Sequence, residues 1–385
     1  MADCNISKVK IDNPFKNIYN DQTDAILFAH SLIGTVRGKS ANGLMIHSKL
    51  FNTVAIIDEF TAGKDTSNIC QGVNKSVPIY SNLKSALQNH SAKVVIFLIP
   101  PISKWYNDIE IAAKNKLDII NTTFNFIKAD PFIRDIAQIH DISYFDLRDV
   151  TNLQAYPNTD ILNRKSKVVF VTGTDCGLGK RTAAYELTQE ARRRGINATM
   201  YATGQTGLMI GERGTVIDAL VIEFCNGVIS QQITQLKKEG YELIFVEGQS
   251  DVFHPANSAM SLALLHGANP DCIVLVHDES RKVHKGFEED SPLYKMHSVK
   301  RYIETLEMLS LPCGPIYKTV AIATIGSENI RKINEIKDFN NLEINDVRMP
   351  GGSEKILDSI ITYLYSDDSK IKNYFISDYV GLKMQ

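Results

Sequence analysis

The sequence predicts an α/β protein with two domains, each built on a parallel, doubly wound sheet. Three observations lead there. Apolar, β-branched runs alternate with helical stretches along the chain. A polar, proline-containing stretch, Thr151–Ser166, interrupts that alternation and reads as a linker. Just beyond it, an apolar strand enters a glycine-rich turn and then a helix, VVFVTGTDCGLGKRT from Val168 to Thr182. At 385 residues the chain also exceeds one ordinary core. The expected division is 1–160 and 161–385, with the first strand of the second domain beginning at Lys167.

In the first domain, TVAIID (Thr53–Asp58) is the first clear strand, and VPIYSNLKSALQNH reads as a short strand entering a helix. KVVIFLIPP (Lys93–Pro101) is a continuous apolar run stopped by prolines, as expected of a strand buried on both faces. KLDIINTT and DISYFDLRD are further strands, separated by the helical FNFIKADPFIRDIAQIH. No GxGxxG follows any of them, so no dinucleotide site is read here. The segment Arg37–Gly43, RGKSANG, reads as a solvated basic turn.

In the second domain, Ala183, Ala184, Leu187 and Ala191 form an apolar stripe after the loop, with Arg192 to Arg194 in the last turn and Gly195 as a natural stop. NATMYA runs into TGQTG (Thr203–Gly207), and a long helix is expected from about Val216 to Lys238. YELIFVEGQ and DCIVLVHDE are apolar strands ending in acids, and TVAIATIGSEN adds a last central strand. The tail from Ser366 is polar with scattered aromatics.

Composition narrows the function classes. A net charge of −2 gives no reason to expect nucleic acid. Six scattered cysteines without CxxC spacing read as reduced thiols, and no run reaches transmembrane length, so a cytoplasmic protein with no membrane partner is expected. An exposed sheet edge in the first domain suggests a homo-oligomer.

The glycine-rich turn carries the clearest chemistry. Its backbone N–H groups, from Gly173, Thr174, Asp175, Cys176, Gly177, Leu178 and Gly179, can form a concave nest for phosphate oxygens. The helix N-terminus and Lys180, read as a solvent-facing point charge, add positive potential. The residue after such a lysine is usually a Ser or Thr that ligates Mg²⁺. Here it is Arg181, and Thr182 projects about 100° further round the helix. That favours a phosphate-rich ligand that is held without being cleaved.

Ligand sites of a doubly wound sheet collect beyond the carboxyl ends of its strands. Gly173–Lys180, Thr203–Gly207, Glu247–His254 and His277–Glu279 are therefore expected around one crevice. Glu247 can hold Mg²⁺ through water, act as a general base, or simply be satisfied by backbone N–H groups. His254, held by the following proline, is a candidate general base. Gln205 and Gln249 stand in glycine-containing turns where an amide can bind a substrate carboxylate or amine; Thr206, Ser250 and Asp251 complete the expected substrate-binding set. His266 reads as a packed core histidine, and His277 could serve either way. No GxSxG or triad context is present, so direct transfer without a covalent enzyme intermediate is expected.

On GTDCGLGKRT, ATGQTGLMI, VEGQSDVFHPA and LALLHGANPD, with LFNTVAIIDEFTAGKD and RGKSANGL as weaker matches, the chain resembles the DgcN-like family, formerly of unknown function. That resemblance implies an N-terminal Rossmann-like domain and a C-terminal P-loop NTPase-like domain. The P-loop is distantly similar to that of dethiobiotin synthetase, whose relatives share the longer spacing and an aspartate at the place of Asp175. The best-understood branch is a D-glutamate N-acetyltransferase, which implies that the loop holds CoA phosphates. Where the family usually reads VEGQGS this chain has VEGQSD. It also lacks the family's glycine-rich turn after Pro101, and NTTFNF replaces its Gly-Leu-His segment near residue 122. The resemblance therefore leaves the acyl acceptor open.

The leading expectation is an N-acyltransferase using acetyl-CoA or another acyl-CoA on an amino acid or similar small amine, with no metal required. The alternative is an ATP-dependent ligase or kinase, with Mg²⁺ on Thr182 and Glu247.

Overall fold

A computed structural model describes residues 11–366, apart from 71, 101, 151–152, 158–164, 289–293, 312–315, 327–329, 332 and 334–341. The first ten residues, Cys4, Cys313, most of the linker and the tail after Ser366 lie outside the described residues. The chain forms two compact units: one holds 12–152 and 204–219, the other 153–203 and the residues from 220 on.

In the N-terminal unit the strands are β1 (Thr23–Phe28), β2 (Phe51–Ile57), β3 (Ile79–Tyr80), β4 (Val94–Phe97), β5 (Asp118–Asn121) and β6 (Tyr144–Asp146). The helices between them are α1 (Lys39–His47), α2 (Thr66–Ile69), α3 (Leu83–Leu87), α4 (Tyr106–Lys114) and α5 (Pro131–His140). The order β3-β2-β1-β4-β5-β6, parallel throughout, is the doubly wound arrangement expected. Phe28, Ile57, Val95, Phe97 and Ile119 are wholly buried in its core, each contributing about 1.5–3 kcal/mol.

Two expectations are corrected here. The central strand β1, TDAILF, precedes the run taken as the first strand. The RGKSANG segment is not a turn: it carries a 3₁₀ turn, Val36–Gly38, and the start of α1. Asp58, just past β2, accepts hydrogen bonds from the N–H groups of Ser31, Ile33 and Phe60 and from the Thr61 hydroxyl. The carboxylate that would face a dinucleotide ribose in such a fold is occupied by its own loops.

The second unit begins with β7 (Lys167–Gly173), α6 (Lys180–Arg193) and β8 (Ala198–Ala202). Gly195, at φ +80°, follows α6 in the left-handed conformation its composition suggested. The chain then departs from the expected division. Residues 204–219, with α7 (Gln205–Met209) and β9 (Arg213–Gly214), belong to the N-terminal unit. There the Asn13 side-chain amide donates to Leu208 O (2.6 Å) and Glu212 O (2.8 Å). The hydrophobic residues Leu208, Met209, Ile210, Val216 and Ile217 are buried.

The second unit resumes with α8 (Ile222–Lys238), β10 (Leu243–Glu247), α9 (Ser258–Ala268), β11 (Cys272–Val276), α10 (Val299–Met308), β12 (Thr319–Thr324), β13 (Glu343–Asp346) and α11 (Gly352–Tyr365). The expected helix from Val216 starts only at Ile222, after a 3₁₀ turn at Ile217–Ala219. Parallel ladders join β13-β12-β11-β7-β10-β8. The strand TVAIAT is the last central one on this side, and β13 forms the edge beyond it. The glycine-rich loop leaves β7, between β10 and β11, and these three strands are almost wholly buried, as their unbroken apolar runs require.

Candidate functional site

The loop between β7 and α6 turns on glycines. Gly177 and Gly179 have φ of +73° and +100°, which only glycine adopts without strain. Gly248, past β10, lets that strand end approach β7: a Cβ there would stand 2.6 Å from Val171 O and 2.9 Å from Thr172 Cα.

Lys180 is not solvent-facing. It is 6% exposed, its stem packs beside Gly173 and Gly248, and its Nζ donates to Asp175 O (2.6 Å) within the loop. Arg181 lies beside Glu247, whose charge offsets the burial that would otherwise depress the guanidinium further. Glu247, almost wholly buried, accepts the Thr203 N–H at 3.0 Å. Of its possible roles, the backbone-satisfied carboxylate is thus visible directly. Thr203 in turn donates from its hydroxyl to Glu247 O, and the Gln249 amide donates to Thr203 O (2.6 Å).

Asp175 is the hub. It is fully buried, and its Oδ2 accepts from Arg281 Nη1 (2.7 Å) and from Lys285 N–H (2.9 Å). Its Oδ1 faces His284 Nδ1 at 3.4 Å and His254 Nε2 at 3.9 Å. Lys285 also extends over the loop, with Nζ 3.0 Å from where a Cβ on Gly177 would stand. Lys180 and Lys285 thus bring two cations to the glycine-rich loop, charge of the kind that suits phosphate.

The strand-end segments after β10 and β11 supply the rest. Ser250 sits at φ +54°, a left-handed conformation strained for a residue with a Cβ, and its hydroxyl accepts a weak bond from Cys176 Sγ (3.5 Å). Asp251 is fully buried and accepts Phe253 N–H on Oδ1 (2.8 Å). Burial pushes its carboxyl up to about 6. Tyr302, also fully buried, lies beside it, and burial together with Asp251 raises the phenol well above its ordinary range.

His254 is 3% exposed, and its Nδ1 accepts the Ala256 N–H (3.2 Å), which assigns the proton to Nε2, facing Lys285 O at 3.4 Å. Burial lowers its pKa. With Nδ1 engaged and Nε2 protonated, the ring has no lone pair free to remove a proton. This geometry favours a positioning role, holding the Lys285 loop, over the general base expected from sequence. His277 bridges Thr174 Oγ1 (2.8 Å) and Glu279 (3.0 Å). His266 bonds Leu309 O (2.9 Å), consistent with a packed residue.

Of the four strand-end segments, those after β7, β10 and β11 gather in one cluster, with Thr203 joining through Glu247 and Gln249. Gln205 and Thr206 belong to the N-terminal unit, where Gln205 accepts from Arg148 (3.0 Å) and the Thr206 hydroxyl donates to Ser40 (2.9 Å). Sequence reasoning missed Arg281, His284 and Lys285. The basic run RKVHK directly after a strand end was the available signal.

Comparison with known proteins agrees with this organisation. Residues 156–356, over half the chain, match the family described as "Domain of unknown function (DUF1611_C) P-loop domain", and residues 59–150 match its "Rossmann-like domain". The crystal structure of a DUF1611 family protein from Anabaena variabilis superposes with a TM-score of 0.79, covering 89% of this chain and 100% of that one at 22% identity. A protein of Tritonibacter scottomollicae named D-glutamate N-acetyltransferase is 31% identical over 54% of this chain, which spans 59% of that relative's length. One of the same name from a Pseudoalteromonas species is 27% identical over 60% of this chain and 68% of its own. Among the described residues no helix is long and apolar enough to cross a membrane.

Proposed function

The chain belongs to the DUF1611 family, and from that premise we propose that it is an N-acetyltransferase whose P-loop grips the phosphates of acetyl-CoA. The observation that carries the reading is the cation that follows the loop lysine, Arg181, near enough to Glu247 to feel its charge. The position that usually supplies a Mg²⁺-ligating hydroxyl supplies a cation, set against the strand-end carboxylate a nucleotide's metal would need. Backbone N–H groups, Lys180 and Lys285 bring positive potential to the loop, beside the buried carboxylates of Asp175 and Asp251. Such a loop binds phosphate groups that are not consumed. The names of the two relatives support acetyl transfer to an amino acid.

In this reading the acceptor amine attacks the thioester carbonyl. The C–N bond forms, the C–S bond breaks, CoA leaves as thiol, and the amine proton passes to solvent or to the departing sulfur. Backbone N–H groups of the strand-end loops offer stabilisation for the oxyanion. Gln249 and Ser250, on the loop after β10, are the acceptor-binding candidates within this unit.

Calorimetric titration with acetyl-CoA and, separately, with Mg·ATP tests the donor. Mass-spectrometric detection of N-acetylated product across D- and L-amino acids tests the acceptor. Binding of acetyl-CoA and formation of an N-acetyl amino acid are expected. Binding of Mg·ATP alone, with ADP released, would replace this reading with the ligase or kinase alternative.

A further inference from the structure

Asp251 carries a carboxylate oxygen that no well-formed hydrogen bond holds, with the Tyr302 phenol beside the carboxylate. Its Oδ1 takes the Phe253 N–H, but Oδ2 has no such partner although the side chain is fully buried. Leaving such an atom bare is unfavourable, because its lost hydration is not replaced. The bare oxygen is aimed at His284 Nδ1, 3.6 Å away, and that nitrogen is 3.4 Å from Asp175 Oδ1. The ligand atoms of the three residues all lie within 4.8 Å of one another.

We infer that Asp175, Asp251 and His284 form a binding site for one divalent transition-metal ion, Zn²⁺ or Mn²⁺. The two carboxylate-to-imidazole distances, 3.4 and 3.6 Å, are those of ligands sharing a metal. Oxygen and nitrogen donors at about 2.0–2.2 Å from a tetrahedral ion stand about 3.3–3.6 Å apart. Such distances are long for hydrogen bonds between the same atoms. The two carboxylates come with the outer support that such sites use, while His284 is held through its backbone. Asp175 Oδ2 is fixed by Arg281 and the Lys285 N–H, which leaves Oδ1 facing inward. His284 is set by its own N–H on Tyr294 O (3.1 Å) and by Phe287 N–H on its carbonyl (3.1 Å).

The neighbourhood selects the type of ion. Arg281 already pairs with Asp175, so that carboxylate's charge is partly neutralised. That charge loss, with an imidazole among the three donors, disfavours Mg²⁺ and Ca²⁺, which take oxygen ligands, and favours Zn²⁺, with Mn²⁺ as the spectroscopic substitute. On binding, the metal replaces the proton on His284 Nδ1, which goes to solvent. A second grouping, Asp175 with Cys176 and His254, shares the hub. It is the weaker candidate because His254 keeps its Nε2 proton while Ala256 N–H occupies Nδ1. The ion would tie together the loops after β7, β10 and β11, independently of which donor the P-loop takes.

The test is titration of chelator-stripped, full-length protein with MnCl₂ and with ZnCl₂ by calorimetry, alongside thermal melts. One equivalent is expected to bind and to raise Tm by about 5 °C at saturation. Asp251→Asn and His284→Gln are expected to weaken uptake by at least about a hundredfold, whereas Cys176→Ser keeps it. Either ligand variant binding as tightly as wild type, or stripped wild type taking up neither ion, overturns the proposal. Should a variant fail to fold, spin-echo spectroscopy of Mn²⁺ on the wild-type protein decides. Imidazole nitrogen coupling is expected, and its absence overturns the site.

Discussion

Ser250 and His254 show how much a single position on the loop after β10 carries. Ser250 holds φ +54°, where the family pattern has glycine, at a cost of about 1–2 kcal/mol for a residue with a Cβ. Ser250→Gly is therefore expected to raise stability by about 0.5–1 kcal/mol after the added freedom of the unfolded chain is subtracted, read as a higher urea midpoint at unchanged slope. His254→Gln and His254→Ala separate positioning from proton removal. Glutamine can accept from Ala256 N–H and donate to Lys285 O, so its kcat should stay within about tenfold of wild type, while alanine loosens the Lys285 loop and raises KM. A drop of about 10²–10⁴ in kcat for both variants would return the base role to the ring. Lys180→Ala should weaken acetyl-CoA about ten- to a hundredfold. Because the lysine is buried against Gly173 and Gly248, it should also lower Tm, which a solvent-facing lysine would not.

Elements were legible where a local pattern decides them. The β7 strand, its glycine loop and α6 follow from apolar run, turn chemistry and stripe, all within fourteen residues either side of Lys180, and the structure keeps them. β1 was missed because TDAILF begins with two polar residues and has a single β-branched apolar residue, so no strand pattern marks it; its central place in the sheet is what makes it a strand. Arg281, His284 and Lys285 were missed for a related reason. Their role exists only through Asp175, which is remote in sequence, and no periodicity reports such a contact. The linker offers a check at this scale. Gly227, inside α8, admits the carbonyl of Ala155 so closely that a Cβ would stand 1.8 Å from it. Gly227→Ala is expected to cost about 1–3 kcal/mol, although in an ordinary helix interior the same change stabilises. A chemical-denaturation curve shifted upward instead would show that the linker is not seated there.

Across the whole molecule, composition places the boundary near residue 160, whereas the compact units divide after Asn152 and composition is silent about the return at 204–219. Nothing in ATGQTGLMIGERGTVIDAL differs in composition from its surroundings. Its membership of the N-terminal unit is a matter of which residues it touches: Asn13, Ser40, Ser48 and Arg148. A fragment of residues 12–152 should accordingly be poorly soluble or unfolded by circular dichroism. Appending 204–219 through a flexible linker should recover a cooperative melt. Equal folding with and without the appended segment would contradict the assignment.

That excursion bears on inheritance as well as folding. A unit assembled from two separated stretches of gene cannot be exchanged by a single crossover. If recombination replaced only the first 152 codons with those of a distant relative, Asn13, Ser40 and Arg148 would come from one parent, while Leu208, Glu212 and Asp218 came from the other. Viable hybrids between divergent members should therefore be those whose second, short stretch shares the ancestry of the first. Substitutions in 204–219 should track those in the N-terminal unit more closely than those of the P-loop residues flanking them in sequence.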